Sequence, residues 1–229
     1  MRIKVNNLNV YFGKKHILKN ISFELNNGIY GLMGPNGAGK TTLMRNLVGL
    51  MKAKTGTIET DGKIGYLSQI YGAFKDFSCL EMIDYYATYR EEKISRAEVL
   101  ELLKMVHLEN EANKKIKYLS GGMLRRLGIA QALLGNPDII ILDEPLVGLD
   151  PEERLRVKSI LKNLIDNKVV IISTHIVEDI ENICNQYLIM NQGELIFAGN
   201  REELFEYASQ KGNKTIDTIE EGYLCIVQN

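Results

Sequence analysis

Residues 34–41 read Gly-Pro-Asn-Gly-Ala-Gly-Lys-Thr, the spacing G-x-x-x-x-G-K-[ST]. Three glycines let the backbone turn tightly and aim N–H groups at one point. The lysine adds positive charge at terminal phosphates, and the threonine hydroxyl can hold Mg²⁺. The flanks agree with that use. Gly28-Ile-Tyr-Gly-Leu-Met33 reads as a short apolar strand, and Leu43, Met44, Leu47, Val48, Leu50 and Met51 recur behind the loop at helical spacing. Strand, glycine loop and helix together put phosphate on a helix N-terminus. The unit implies an α/β fold and a nucleoside triphosphate site.

A chain of 229 residues can bury a sizeable core as one domain, or one domain with a subdomain. Its 28 basic and 29 acidic residues leave a net charge of −1, so no bulk electrostatic attraction to nucleic acid or an anionic membrane is expected. Cys79, Cys184 and Cys225 are odd in number and far apart. They fit buried or idle thiols in a reducing cytosol better than disulfides or a metal site. No stretch approaches the roughly 20 apolar residues needed to cross a bilayer, and Met-Arg-Ile-Lys-Val at the start lacks a signal-peptide core. The expectation is a cytoplasmic chain, held at a membrane only through another protein.

Residues 2–28 alternate with period two: Ile3 and Val5, a register break at Asn6-Asn7, then Leu8, Val10 and Phe12, and later Ile21, Phe23 and Leu25. This reads as antiparallel strand. Thr55–Gly62 and Ile64–Leu67 add two more short strands. Ser78 with Glu81 and Ser95 with Glu98 are capping boxes heading two apolar helical runs. Ser120-Gly-Gly opens another helix, which Asn136-Pro137 closes. Ile139–Leu142 and Val169–Ile172 are continuous apolar runs suited to central parallel strands covered on both faces. Asp150-Pro151 with Glu153 caps a helix reaching about Ile165. Residues 187–198, bent at Asn191-Gln-Gly193, read as a hairpin, and Asn200 with Glu203 caps a further helix. The tail is weakly patterned, with Tyr223–Val227 readable as one strand.

An apolar strand ending in Asp143-Glu144 supplies the other half of a phosphate-loop site. The aspartate can hold a magnesium shell opposite Thr41, and the glutamate can orient or deprotonate a water. Leu119-Ser-Gly-Gly-Met123 offers free N–H groups at a helix start, suited either to an anion or to plain capping. It has no lysine or magnesium ligand beside it.

With these motifs in order, the chain resembles a nucleotide-binding subunit of an ATP-binding cassette transporter along essentially its whole length. The family's landmarks are Walker A at 34–41 followed by Thr42, a Q-loop glutamine at Gln69, and the LSGG signature at 119–122. Walker B at 139–143 follows with Glu144, then a D-loop at Gly148-Leu149-Asp150 and a switch histidine at His175. The resemblance implies a P-loop NTPase core with a mostly parallel sheet, an N-terminal antiparallel β subdomain and an inserted α-helical subdomain. All 229 residues would form one ATPase domain. The β subdomain and core would cover 1–70 and 137–210, the helical insert about 71–136 and a short tail 211–229.

It further implies ATP and Mg²⁺ as cofactors. Asn36, Gly37, Ala38, Gly39, Lys40, Thr41 and Thr42 would contact nucleotide, with Ser120, Gly121 and Gly122 reaching it from a second subunit of a homodimer or heterodimer. Thr41, Gln69 and Asp143 would serve the metal, and Glu144, His175 and Gln69 the catalysis. Phe12 falls where the family places an adenine-stacking aromatic; its alternation with Leu8 and Val10 equally permits core packing, with Tyr11 as the substitute. An integral membrane permease would dock near residues 69–86, with the chain peripheral on the cytoplasmic face of the membrane. Tyr85, Tyr86 and Tyr89 suit that contact or the insert's own core. Met123, where glutamine is commonest, resembles the exporter-like branch; it also fits a local packing variant. Rival readings are a soluble cassette ATPase in translation or DNA maintenance, or a nucleotide-gated regulatory module. The former usually carries two cassettes or a long coiled coil, neither of which fits in 229 residues. Glu144 and His175 argue against the latter. Lys40→Ala should abolish nucleotide retention in equilibrium binding; an unchanged ATP affinity would dissociate the glycine loop from the site.

Overall fold

The N-terminal alternation pairs as two antiparallel strands, β1 (Ile3–Phe12) and β2 (Lys15–Leu25), in a computed structural model that describes residues 3–89, 93–164, 167–213 and 215–228. The chain continues through β3 (Gly28–Met33), α1 (Lys40–Leu47), β4 (Thr55–Thr60) and β5 (Ile64–Leu67). Helices α2 (Cys79–Ala87), α3 (Arg96–Met105) and α4 (Gly121–Leu133) follow. Then come β6 (Ile139–Leu142), α5 (Pro151–Lys162), β7 (Val169–Thr174), β8 (Gln186–Asn191), β9 (Glu194–Gly199), α6 (Arg201–Gly212) and α7 (Ile219–Gln228). Strands β2-β1-β4 form one antiparallel sheet; β5-β6-β7-β3-β8-β9 form a second, parallel except for the β8–β9 hairpin.

The continuous apolar runs sit where both sheet faces are covered. Ile139 and Ile141 pack with Leu32, Ile171, Leu43 and Met44 beneath the antiparallel sheet and α1. Ile140 and Leu142 face the opposite layer with Ile172, Leu127 and Val157. No residue of β6 is exposed, and fully burying each side chain contributes about 1.5–3 kcal/mol. This explains why the strand lacks alternation. At β1 the Asn6-Asn7 break is a register irregularity inside one strand, with Asn7 at φ 45°, rather than an end.

Local caps form as their sequences specify. Ser78, Ser95 and Asn200 each accept from the backbone N–H three residues on, and Glu81, Glu98 and Glu203 reach back to complete three capping boxes. The same backbone contact holds Glu81 and Glu98 below the usual carboxylate range.

Two expectations differ from the structure. Tyr223–Val227 is not a strand but part of α7: Ile219, Tyr223 and Ile226 fall on one buried face at helical spacing, packed with Leu204 and Ala208 of α6. Tyr223, Cys225 and Val227 alternate as in a strand, but Tyr223 and Val227 also meet helical spacing, and only α6 decides between the two. Helix α1 also stops short of the apolar spacing that runs to Met51. Gly49 takes φ 74° and leaves Leu50 69% exposed. Helix α5 ends at Lys162, and Ile165 lies outside the described residues.

Strand β5 and α4 touch at Gly65, where an added Cβ would lie 1.8 Å from the Ala132 carbonyl oxygen. Gly65→Ala should therefore lower stability by about 3 kcal/mol in urea titration. Gly72→Ala, whose Cβ would meet nothing within 4 Å, should stay within about 0.5 kcal/mol. Equal midpoints for the two variants would refute this close approach.

Candidate active site

Parallel pairing in register brings four strand ends to one edge of the large sheet. Met33 lies opposite Thr174, Leu142 opposite Ile172, and Leu67 opposite Leu142. Just beyond these ends come the glycine loop, Gln69, Asp143-Glu144 and His175. Open α/β sheets bind ligands at this carboxyl edge.

The loop turns into α1 at Gly39, whose φ of 106° a side chain would resist. No side chain caps α1. Its first N–H groups thus remain available to an anion. Asn36 and Gly37 are exposed, Ala38 is buried, and Thr41 and Thr42 are half-buried. Lys40 is buried and donates to the carbonyls of Gly34 and of Pro35, the latter at 3.1 Å. Burial draws its pKa down, while the charges of Glu144 and Asp143 oppose that shift. The ammonium is bonded within its own loop, and a phosphate would compete with those two carbonyls for it.

Asp143 and Glu144 are both buried. The Ser173 hydroxyl donates to Asp143 Oδ1 at 2.6 Å and accepts the Glu144 backbone N–H at 2.8 Å. Asp143 Oδ2, also buried, accepts no hydrogen bond. Glu144 takes a left-handed φ of 51°, a costly conformation for a residue with a side chain. Both its carboxylate oxygens are engaged: Gln69 Nε2 donates to Oε2 at 2.8 Å, and His175 Nδ1 lies 3.2 Å from Oε1. Gln69, Asp143, Glu144 and His175 are thus linked through hydrogen bonds, and Lys40 feels the charges of the two carboxylates without bonding to either.

The other expected residues lie around this group. Ser120 and Gly121 are exposed at the start of α4, and Ser120 Oγ accepts the Met123 N–H at 3.1 Å. Gly122 is buried. Gly121 lines a cleft of about 270 Å³ with Gln69, Glu144, Gly148 and Leu149. Phe12 is 50% exposed, so it does not join the core with Leu8 and Val10. Tyr11 stacks on His16 at 4.1 Å and lies 4.7 Å below the Lys54 ammonium, leaving Phe12 as the open ring. Among the tyrosines of α2, Tyr86 packs against the helical core, whereas Tyr89, just past the helix, is 72% exposed. A larger cavity of about 400 Å³, beside Leu102, Met105 and Leu164, lies away from these groups.

Two functional side chains escaped the sequence reading. Ser173 ends an apolar run and resembles a polar strand terminus; its only hint is its place two residues before His175. Arg125 reads as a surface cation on an amphipathic helix, yet it donates to the carbonyls of Ser68, Gln69, Asp143, Glu144 and Pro145.

The ABC transporter family model matches residues 18–147. An ABC transporter ATP-binding protein of Methanocaldococcus jannaschii is 38% identical over 208 residues, covering 89% of this chain and 79% of that protein. Nod factor export ATP-binding protein I of Burkholderia orbicola is 36% identical over 220 residues, covering 89% and 72%. Among solved structures, an ATP-binding cassette captured as a dimer in a post-hydrolysis state with ADP and Pi superposes with a TM-score of 0.77. It is 27% identical, over 86% of this chain and 98% of that one. The family model, these relatives and this superposition leave one conclusion: the chain belongs to the ABC transporter family, as an ATP-binding and hydrolysing subunit.

Proposed function

We propose that Glu144 orients and deprotonates the attacking water in a nucleotide site closed by a second cassette subunit, and that hydrolysis there powers export through a separate membrane-spanning partner. The observation that carries this reading is the Glu144 carboxylate held between Gln69 and His175 at the sheet edge that also bears Lys40. Lys40 would leave the Gly34 and Pro35 carbonyls for the β- and γ-phosphates, with the loop from Asn36 to Thr42 donating backbone N–H groups. Water attacks the γ-phosphorus in line, its proton passes to Glu144, and the bond from the γ-phosphorus to the bridging oxygen breaks toward ADP. His175 holds the γ-phosphate, and Phe12 offers its open face to adenine.

The residues also suit Mg²⁺. Asp143 Oδ2 is a buried carboxylate oxygen without a hydrogen bond, an expensive arrangement unless a cation takes it. Asp143, Thr41 and Gln69 would hold the ion, which when bound neutralises phosphate charge. Ser120, Gly121 and Gly122 would complete the nucleotide site of the opposing subunit, as the exposed start of α4 allows.

Among the described residues no helix is long and apolar enough to cross a membrane. This supports a partner that spans it, with the chain peripheral on its cytoplasmic side. The docking surface we infer is the aromatic group of Phe74, Phe77, Tyr85 and Tyr89, in the same segment of chain as Ile70, which is 85% exposed. Met123 and the relative named for Nod factor export support the outward direction.

Glu144→Gln should retain ATP and run as a dimer on size exclusion with Mg-ATP; a strictly monomeric variant at saturating nucleotide would sink the two-subunit site. Ser173→Ala removes the hydroxyl shared by Asp143 and the Glu144 N–H. It should lower kcat about tenfold or more, with ATP affinity little changed. Full turnover in that variant would show that the hydroxyl is dispensable for positioning.

A further inference from the structure

Arg125 carries five N–H donors, and all five find main-chain acceptors. Nε donates to Pro145 at 3.1 Å, Nη1 to Ser68 and Gln69 at 3.2 Å each, and Nη2 to Asp143 at 2.9 Å and to Glu144. The acceptors belong to two loops, one leading out of β5 and the other out of β6. The first contains Gln69, which grips the Glu144 carboxylate; the second contains Glu144 itself, in its left-handed conformation. The arginine stands on α4, little more than one turn after Ser120–Gly122.

Its neighbour points the other way. Arg126 is 1% exposed, ion-paired to Glu153 at 3.0 Å and bonded to the Val106 and His107 carbonyls. It ties α4 to α3 and α5, whereas Arg125 ties α4 to the catalytic edge. No ion pair of Arg125 appears among the described residues, so its fork is committed to backbone geometry. Lysine, a point charge with three donors on a flexible stem, cannot reproduce that fork.

We infer that Arg125 is a positioning residue: it transmits the position of the α4 N-terminus to Gln69 and Glu144, so that engagement of one nucleotide by the Ser120–Gly122 turn sets the geometry for hydrolysis of another. The inference rests on the reading of that turn as a nucleotide contact and of Glu144 as the base. Gln69 and Glu144 move with the carbonyls that Arg125 holds. A misplacement of about 1 Å in a reacting group costs on the order of a hundredfold in rate.

The test compares the intact chain with Arg125→Met, which keeps the aliphatic stem, and Arg125→Lys, which keeps the charge. The readouts are melting temperature, binding of a fluorescent ATP analogue, steady-state kcat and KM, and Mg-ATP-dependent dimerisation of each variant combined with Glu144→Gln. Nucleotide affinity should stay within about twofold, and the combined variants should still dimerise. Turnover should fall roughly 10- to 100-fold in kcat, with lysine restoring only a small part. Turnover within twofold of the parent would overturn the inference, as would a loss of affinity matching the loss of rate. A melting temperature of Arg125→Lys more than about 10 °C lower would also overturn it, by assigning the side chain to stability. A parent chain that neither hydrolyses Mg-ATP nor dimerises as Glu144→Gln would instead defeat the underlying reading.

Discussion

The Ser173 hydroxyl holds the site together. It donates to Asp143 and accepts from the Glu144 backbone, so one oxygen sets the relative position of the candidate metal ligand and the candidate base. This is possible only because β6 and β7 run parallel with Leu142 opposite Ile172. A slip of one residue would turn Ser173 to the other face and leave two buried groups unsatisfied. Buried and shielded from water, such bonds are electrostatically stronger than they would be at the surface, and losing them is correspondingly expensive.

The cations around this centre share a feature. Lys40 and Arg125 donate to carbonyl oxygens rather than to carboxylates. Among the described residues no lysine or arginine pairs with these two carboxylates: Asp143 keeps an open oxygen, and Glu144 is held by Gln69 and His175. Burial still works against both cations, lowering the pKa of Lys40 and of Arg125, and the field of Asp143 and Glu144 opposes it in each case. The Arg126–Glu153 pair shows the opposite arrangement. A fully buried guanidinium is matched by a carboxylate, and removing one partner of such a pair typically costs about 3–5 kcal/mol.

Much of this was legible in residue order. Ile139–Leu142 and Val169–Ile172 declared themselves as central strands because a strand covered on both faces has no polar side to alternate. The capping boxes at Ser78, Ser95 and Asn200 are local hydrogen-bond arrangements complete within four residues. The glycine loop and Asp143-Glu144 were recognisable from residue type and spacing, whereas Gln69 and His175 stood out only through the resemblance to the family. What escaped was non-local. Residues 223–227 fit either a strand or a helix by periodicity, and α6 supplies the surface that selects the helix. The helical spacing beyond Leu47 promised more of α1 than the left-handed Gly49 permits.

Chemistry at the level of residue type belongs to the linear chain: which side chains can meet phosphate, which can hold a cation, which can take a proton. Those properties are carried by functional groups and short spacings; folding changes their strength, as burial does for Lys40 and Arg125, but not their kind. Their assembly belongs to three-dimensional packing. Gln69 and Glu144 are 75 residues apart, Arg125 and Glu144 are 19 apart, and no periodicity encodes either bond. Strand register, the approach of α4 to β5 and the burial of Ser173 bring them into reach, because hydrogen bonds act over about 3 Å whatever the separation along the chain.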